Sequence, residues 1–341
     1  MQKKLLIPLI AVGVLVLAGI FYLLLSDGGS QVSQKLPDHE FENWDAPVSN
    51  IGEITEEAYG LFEDPSQLDY DALLEAVRTG KVSLVSELWK LRRNCPRGMS
   101  RYDCNIRIRA FIKEKYPPPG GDRLAELLGK YLTYEETMAE YAMPTDISSE
   151  ERYELIKQKR REVFGSDDAN LVFGLEEAKY NYTQDYKSMV ADSEGLSGDE
   201  KMERFEEMRK ETLGPYYEEM KAREPKFTVF EREMFFREDD MGKLDAGTRT
   251  EQTHAIRVKY FGEDGAQRMA AVDQQIAAEQ EAVKNLQAAE ADYLKNNNGV
   301  GDAEQEQALM ELRVKYLGQE EAEAYTRRQK YAEAKAKLRE K

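Results

Sequence analysis

Histidine is almost missing from this chain. Its 341 residues hold two, His39 and His254, and two cysteines, Cys95 and Cys104. A multi-histidine metal site is therefore excluded, and both histidines read as polar surface. No Gly-x-Ser-x-Gly elbow and no P-loop occurs, so neither a serine-hydrolase site nor a nucleotide site is encoded. No Cys-x-x-Cys pair is present, which argues against a dithiol redox enzyme. Positive charge is also short: 48 Lys and Arg face 65 Asp and Glu, a net charge of -17. A nucleic-acid backbone is repelled by such a surface and is not an expected partner. The acidic cluster Glu238, Asp239, Asp240 and Asp245 lacks the alternating spacing of a calcium loop and reads as a solvated turn. No catalytic residue, cofactor or metal ligand is expected, and the chain does not read as an enzyme.

What is present begins with an apolar run. "MQKK" precedes an uncharged stretch from Leu5 to Leu25. Its 21 residues span about 30 Å as a helix, one bilayer core. A cleaved signal peptide has a shorter apolar region, about 7–15 residues, ending in a small-x-small site; here the run continues through "IFYLLL" without one. Lys3 and Lys4 on its N-terminal side keep that end cytoplasmic and export the rest. The expectation is a stub at 1–4, an uncleaved inner-membrane anchor at 5–25, and a periplasmic body. Residues 26–52, rich in Gly, Ser, Asp and Pro, read as a flexible linker. An oxidising compartment would pair Cys95 with Cys104.

The rest is predicted all-α. With 41% hydrophobic and 33% charged residues and a mean hydropathy of -0.68, its helices have narrow apolar stripes and much exposed surface. "LDYDALLEAV", "VSLVSELWKL" and "CNIRIRAFIKEKY" have helical periodicity, and "PPPGG" at 117–121 breaks it. "KFTVFEREMFF" is apolar enough for a strand or a buried helix. From about residue 144 one sentence recurs four times: Arg, three residues, an apolar residue, Gly. The copies are Arg160–Gly165, Arg209–Gly214, Arg257–Gly262 and Arg313–Gly318, with glycines 49, 48 and 56 residues apart. Upstream of each lies a capping pattern: Ser148/Glu151, Ser197/Glu200, Thr248/Glu251 and Asp302/Gln305. Each unit therefore reads as a capped helix, a glycine stop in the left-handed conformation, and a second helix. Stacked units suggest an array of helical hairpins.

Four stretches resemble the lipase chaperones, membrane-anchored steric foldases of bacterial secreted lipases. They are "IRAFIKEKYPPPGGDRLAELLGKYLTYEE", "RREVFGSDDANLVFGLEEAKY", "IRVKYFGEDGAQRMAAVDQQ" and "ALMELRVKYLGQEEAEAY". The family's Arg-x-x-Phe-Asp-Tyr motif should fall around 81–95, where this chain reads "KVSLVSELWKLRRNC"; it resembles a divergent member. The resemblance implies two small helical domains, 53–143 and 251–341, joined by an extended helical arm, 144–250. It also implies a secreted hydrolase client, most simply a lipase, and action by binding without ATP. Trp89, Arg92, Tyr131 and Tyr134 are the candidate client contacts, being aromatic and Arg residues surplus to the apolar stripes; the alternative for Trp89, Tyr131 and Tyr134 is a place in the core of a small domain. The competing reading is an anchored scaffold or adaptor of the cell envelope, though no sustained heptad repeat supports a coiled-coil rod.

Overall fold

The computed structural model describes residues 50–297 and 299–339. The expected anchor at 5–25, its stub and nearly all of the linker lie outside the described residues. Among those described, no helix is long and apolar enough to cross a membrane. The regular structure found there is helical throughout, as the composition predicts. The chain divides into two compact units, the first ending at Glu177 and the second beginning at Ala178.

The first unit begins with α1 (Ile51–Phe62), α2 (Tyr70–Arg78), α3 (Leu84–Asn94) and α4 (Arg101–Lys115). It continues with α5 (Gly120–Glu140), α6 (Ser149–Phe164) and the start of α7 (Ser166–Ala191). Side chains at local stops fix the early ends. Asp69, Ser83 and Ser100 each accept a backbone N–H from the first turn of the helix that follows. Cys95 and Cys104 are joined by a disulfide that closes the α3–α4 loop. Ala58, Phe62, Leu88, Ile108, Phe111 and Leu128 form one core of this unit. Leu73, Val77, Leu124, Leu127, Phe164 and Phe173 form another.

The second unit holds the rest of α7, then α8 (Gly198–Leu213), a 3₁₀ turn (Gly214–Tyr216) and α9 (Tyr217–Ala222). α10 (Lys226–Phe236), α11 (Glu238–Gly242) and α12 (Ala246–Asn296) follow. α13 (Asp302–Leu317) and α14 (Gln319–Arg339) complete it. The strand-or-helix ambiguity at "KFTVFEREMFF" resolves as α10. Its excess of apolar residues has a cause: both sides are covered. Phe236 meets Phe205 at 5.8 Å between ring centres, and Phe230 meets Phe261 at 5.3 Å. The line drawn at 250/251 between arm and second mini-domain falls inside the first segment of α12.

The four repeats are visible as helix, glycine, helix. Ser148 and Ser197 form full capping boxes with Glu151 and Glu200. The third and fourth caps differ from the expected ones. The cap of α12 is Asp245, which accepts the Thr248 N–H at 3.0 Å, because the helix starts a turn earlier than Thr248. α13 is preceded by Gly301 with no side-chain cap, and Asp302 is its first residue, where a carboxylate still favours the helix N-terminus.

The glycine stop is also not the expected left-handed helical cap. Gly165, Gly262 and Gly318 have φ of 74°, 72° and 79° with ψ of 170°, 174° and 167°. That region is open essentially to glycine alone. The reason is economy of length: one residue ends one helix and starts the next. Gly165 donates its N–H to Arg161 and accepts from Ala169; Gly318 does the same between Val314 and Ala322. Gly214 departs, with φ 50° and ψ -120°, because Pro215 follows and forces a 3₁₀ turn.

No atom lies within 4 Å of where a Gly165 side chain would start, so a substitution there meets backbone strain alone. Gly165→Ala is expected to lower stability by about 1–3 kcal/mol, read as a lower urea midpoint by circular dichroism. An unchanged midpoint would show that the corner tolerates another conformation.

Candidate functional site

The arginine of each repeat has a role that its spacing alone did not disclose. It reaches across the glycine corner to close it. Arg160 bonds Glu176 at 2.7 Å, lies 3.5 Å from Glu177, and stacks 4.1 Å from the Phe173 ring centre. Arg209 pairs with Glu224 at 2.9 Å and faces Tyr217. Arg257 pairs with Asp273 at 2.6 Å. In the last copy Arg313 turns to Glu290 on the preceding helix, at 2.6 Å, bonds Thr326 and faces Tyr325. The Arg160 and Arg209 side chains are only 6% and 4% exposed. Two buried charges persist there because each guanidinium meets carboxylate oxygens and lies over an aromatic ring.

A second network holds α10. Arg232 stacks over Phe205 and bonds Glu224 at 2.6 Å, so Glu224 joins Arg209 to Arg232. Glu233 accepts from Lys259 and Arg237, and from the Tyr260 hydroxyl. Burial alone would push both carboxyls up. The Arg232 and Arg209 guanidiniums nevertheless hold Glu224 below the usual carboxylate range, and Lys259, Tyr260 and Arg237 do the same for Glu233. The acidic cluster at 238–245 proves to be a joint. Asp239 pairs with Lys201, Asp240 accepts the Gly198 N–H, and Asp245 caps α12.

The four predicted contact residues come together in the first unit. Trp89 is 45% exposed on α3. Beneath it lies the Arg92 guanidinium, 5.0 Å from the Trp89 ring and 5.9 Å from Tyr131. Arg92 is itself held, by two 2.7 Å bonds to Glu135 and one to Asn105. Tyr131 and Tyr134 continue inward, with ring centres 6.2 and 5.2 Å from Phe173. Burial raises both tyrosine pKa values, so both remain neutral donors at physiological pH. Only Trp89 of the four presents a broad face outward.

Next to this group is a cleft of about 260 Å³ lined by Leu68, Leu73, Leu84, Leu88, Leu91 and Tyr131, with Asp64, Glu87 and Lys90 among its polar residues. The α3 residues lining it, Leu84, Val85, Leu88 and Leu91, share one helical face. Of α3's eleven residues only Leu88 is buried. Leu84, Val85 and Leu91 pack against the unit's cores yet stay partly exposed toward the cleft. Such a cleft, walled by leucine with a charged rim, suits apolar side chains of a partner.

A profile of the family described as proteobacterial lipase chaperone protein matches residues 127–322. That is more than half of the chain. The chain belongs to the lipase chaperone family. Comparison with curated proteins and with solved structures gave no match. The matched segment carries all four Arg-to-Gly repeats together with Tyr131 and Tyr134. Trp89, Arg92, the disulfide and most of the cleft precede it, as does the stretch where the Phe-Asp-Tyr motif is missing.

Two outcomes test the networks. Arg160→Met removes the 2.7 Å bond to Glu176 and the stack on Phe173 while Arg161 still holds Glu177 at 2.8 Å, and is expected to destabilise by about 1.5–3 kcal/mol; denaturant unfolding reads it. The depressed Glu224 and Glu233 carboxyls give a pH dependence. Their folded pKa lies below the unfolded one, near 4.3, so their contribution is present above that value and lost as pH falls through the folded one. The unfolding midpoint is expected to hold from neutral to about pH 5 and to drop below it. Arg232→Met should flatten that drop.

Proposed function

We propose that this lipase chaperone is a membrane-anchored periplasmic steric foldase, acting on a secreted lipase by binding alone. The match over residues 127–322 carries this reading. The Leu5–Leu25 run supports the anchor, and Lys3 and Lys4 support a periplasmic body. The sequence has no P-loop, so the work is done by differential affinity. A client held behind a folding barrier passes it faster when the helper binds the barrier-top conformation better than the trapped one. Helices joined at clasped corners offer surface for this, and the anchor keeps the helper from leaving with its product.

In this reading the leucine cleft accepts apolar side chains of the client, and the exposed Trp89, which is not part of the cleft lining, adds a separate contact. Arg92 and Tyr131 act as positioning residues that hold the indole in place. Tyr134 sits deeper and supports Tyr131.

The test is refolding. A lipase from the same host, diluted from denaturant, should regain activity with the full-length chain in detergent or vesicles, without ATP, and not without the chain. Equal recovery in both would sink the reading. Trp89→Ala should weaken client capture roughly tenfold or more, as truncated interface anchors do, while the melting curve stays unchanged. Undiminished capture would move the contact elsewhere.

A further inference from the structure

A chain of net charge -17 contains one segment of opposite sign. From Arg78 to Lys115 there are eleven Arg and Lys and three acidic residues. Many of these cations are matched internally. Arg92 pairs with Glu135, Arg107 with Glu57, Lys90 with Glu87 and Lys113 with Asp122. Arg93, Arg97 and Arg101 are different: all three are exposed, and none forms an ion pair among the described residues.

These three arginines sit on a fixed frame. They lie at or within the loop closed by the Cys95–Cys104 disulfide. Inside it Met99 donates to the Pro96 carbonyl, Gly98 takes a φ of 90°, and Ser100 caps α4. The loop's one carboxylate, Asp103, already accepts the Ser100 hydroxyl at 2.7 Å. Among the described residues Glu53 lies in the first turn of α1, followed by Glu56 and by Glu57, which Arg107 already holds.

Their place in the unit indicates the partner. α1 and α4 run side by side in the same direction. Ile54 packs with Tyr102 and Ile106, Glu57 bonds Arg107, and Phe62 meets Phe111 at 5.7 Å. The start of α1, where the chain arrives from residue 50, and the basic loop before α4 therefore share one end of the unit. On the anchored reading above, the bilayer lies within about 25–30 Å of that end.

We propose that Arg93, Arg97 and Arg101 form a docking surface for anionic phospholipid headgroups, which seats the first unit on the membrane. The proposal rests on the anchored reading. Guanidinium forks match phosphate oxygens. Each basic residue near an anionic surface strengthens attachment about fivefold, and three together roughly a hundredfold. The rival anions are the acidic stretch Asp38, Glu40, Glu42 and Asp45 and an acidic face of the client. A bilayer differs from both in offering a continuous plane of phosphates to three fixed cations at once.

The test uses the full-length chain in vesicles of phosphatidylcholine, alone or mixed with phosphatidylglycerol. Flotation with phosphatidylcholine vesicles reads the anchor by itself; a chain that stays behind overturns the anchored reading and this proposal together. With the anchor in place, amide exchange over 93–104 should slow when phosphatidylglycerol is present. High salt should abolish the slowing, and so should Arg93→Glu/Arg97→Glu/Arg101→Glu, with thermal unfolding unchanged. The salt arm needs no variant and stands even if the triple change disturbs the fold. Equal exchange in the two vesicles overturns the proposal, as does slowing that survives the triple change. Slow exchange in phosphatidylcholine that is relieved by neutralising Asp38, Glu40, Glu42 and Asp45 assigns the loop to that stretch and overturns it. Slowing that requires added lipase assigns the loop to the client and overturns it as well.

Discussion

The buried arginine clasp is the interaction on which most of this structure depends. The helices are rich in charged residues, and their apolar faces are too narrow to settle by themselves where each helix lies. A one-residue glycine corner sets a direction but not a fixed angle. The arginine five residues before the glycine supplies the missing constraint, because its guanidinium has to meet a carboxylate beyond the corner or, for Arg313, on the preceding helix. Leaving that charge unmatched inside the protein is heavily penalised. Stacking the guanidinium over Phe173 or Tyr217 adds a planar contact that a lysine would not reproduce. The clasp therefore sets register as much as it adds stability.

Much of this was legible in the chain, and the parts that were not have identifiable causes. The capping boxes at Ser148 and Ser197 follow from a three-residue spacing and need no tertiary information. Asp245 was missed because Thr248 and Glu251 make an equally good local pattern one turn later, and packing chose between them. Position showed that the repeat glycines matter. It did not show that they would take a mirror-extended conformation, since that depends on the next helix starting at once. The arginines were visible as a repeated letter, but their carboxylate partners sit 15 to 23 residues away, beyond any local rule. α10 was ambiguous because a helix covered on both sides loses the polar face that periodicity relies on. Trp89, Arg92, Tyr131 and Tyr134 were chosen one by one on residue type, and the fold gathers them into one group.

The family match and the unmatched part divide the chain in a useful way. Residues 127–322 hold the clasped corners, which are scaffold chemistry. The cleft, Trp89 and the basic disulfide loop lie mostly before residue 127, outside the matched segment. A scaffold constrained by buried ion pairs changes little without losing its register. Surfaces that face outward are free to change with whatever they meet.

The clasps also bear on how the chaperone itself reaches its fold. Arg160 and Glu176 are sixteen residues apart, Arg209 and Glu224 fifteen. Contacts that close over such short distances form early and do not wait for distant segments to find one another. The corners of this chaperone are thus assembled from contacts that close over short stretches of its own sequence.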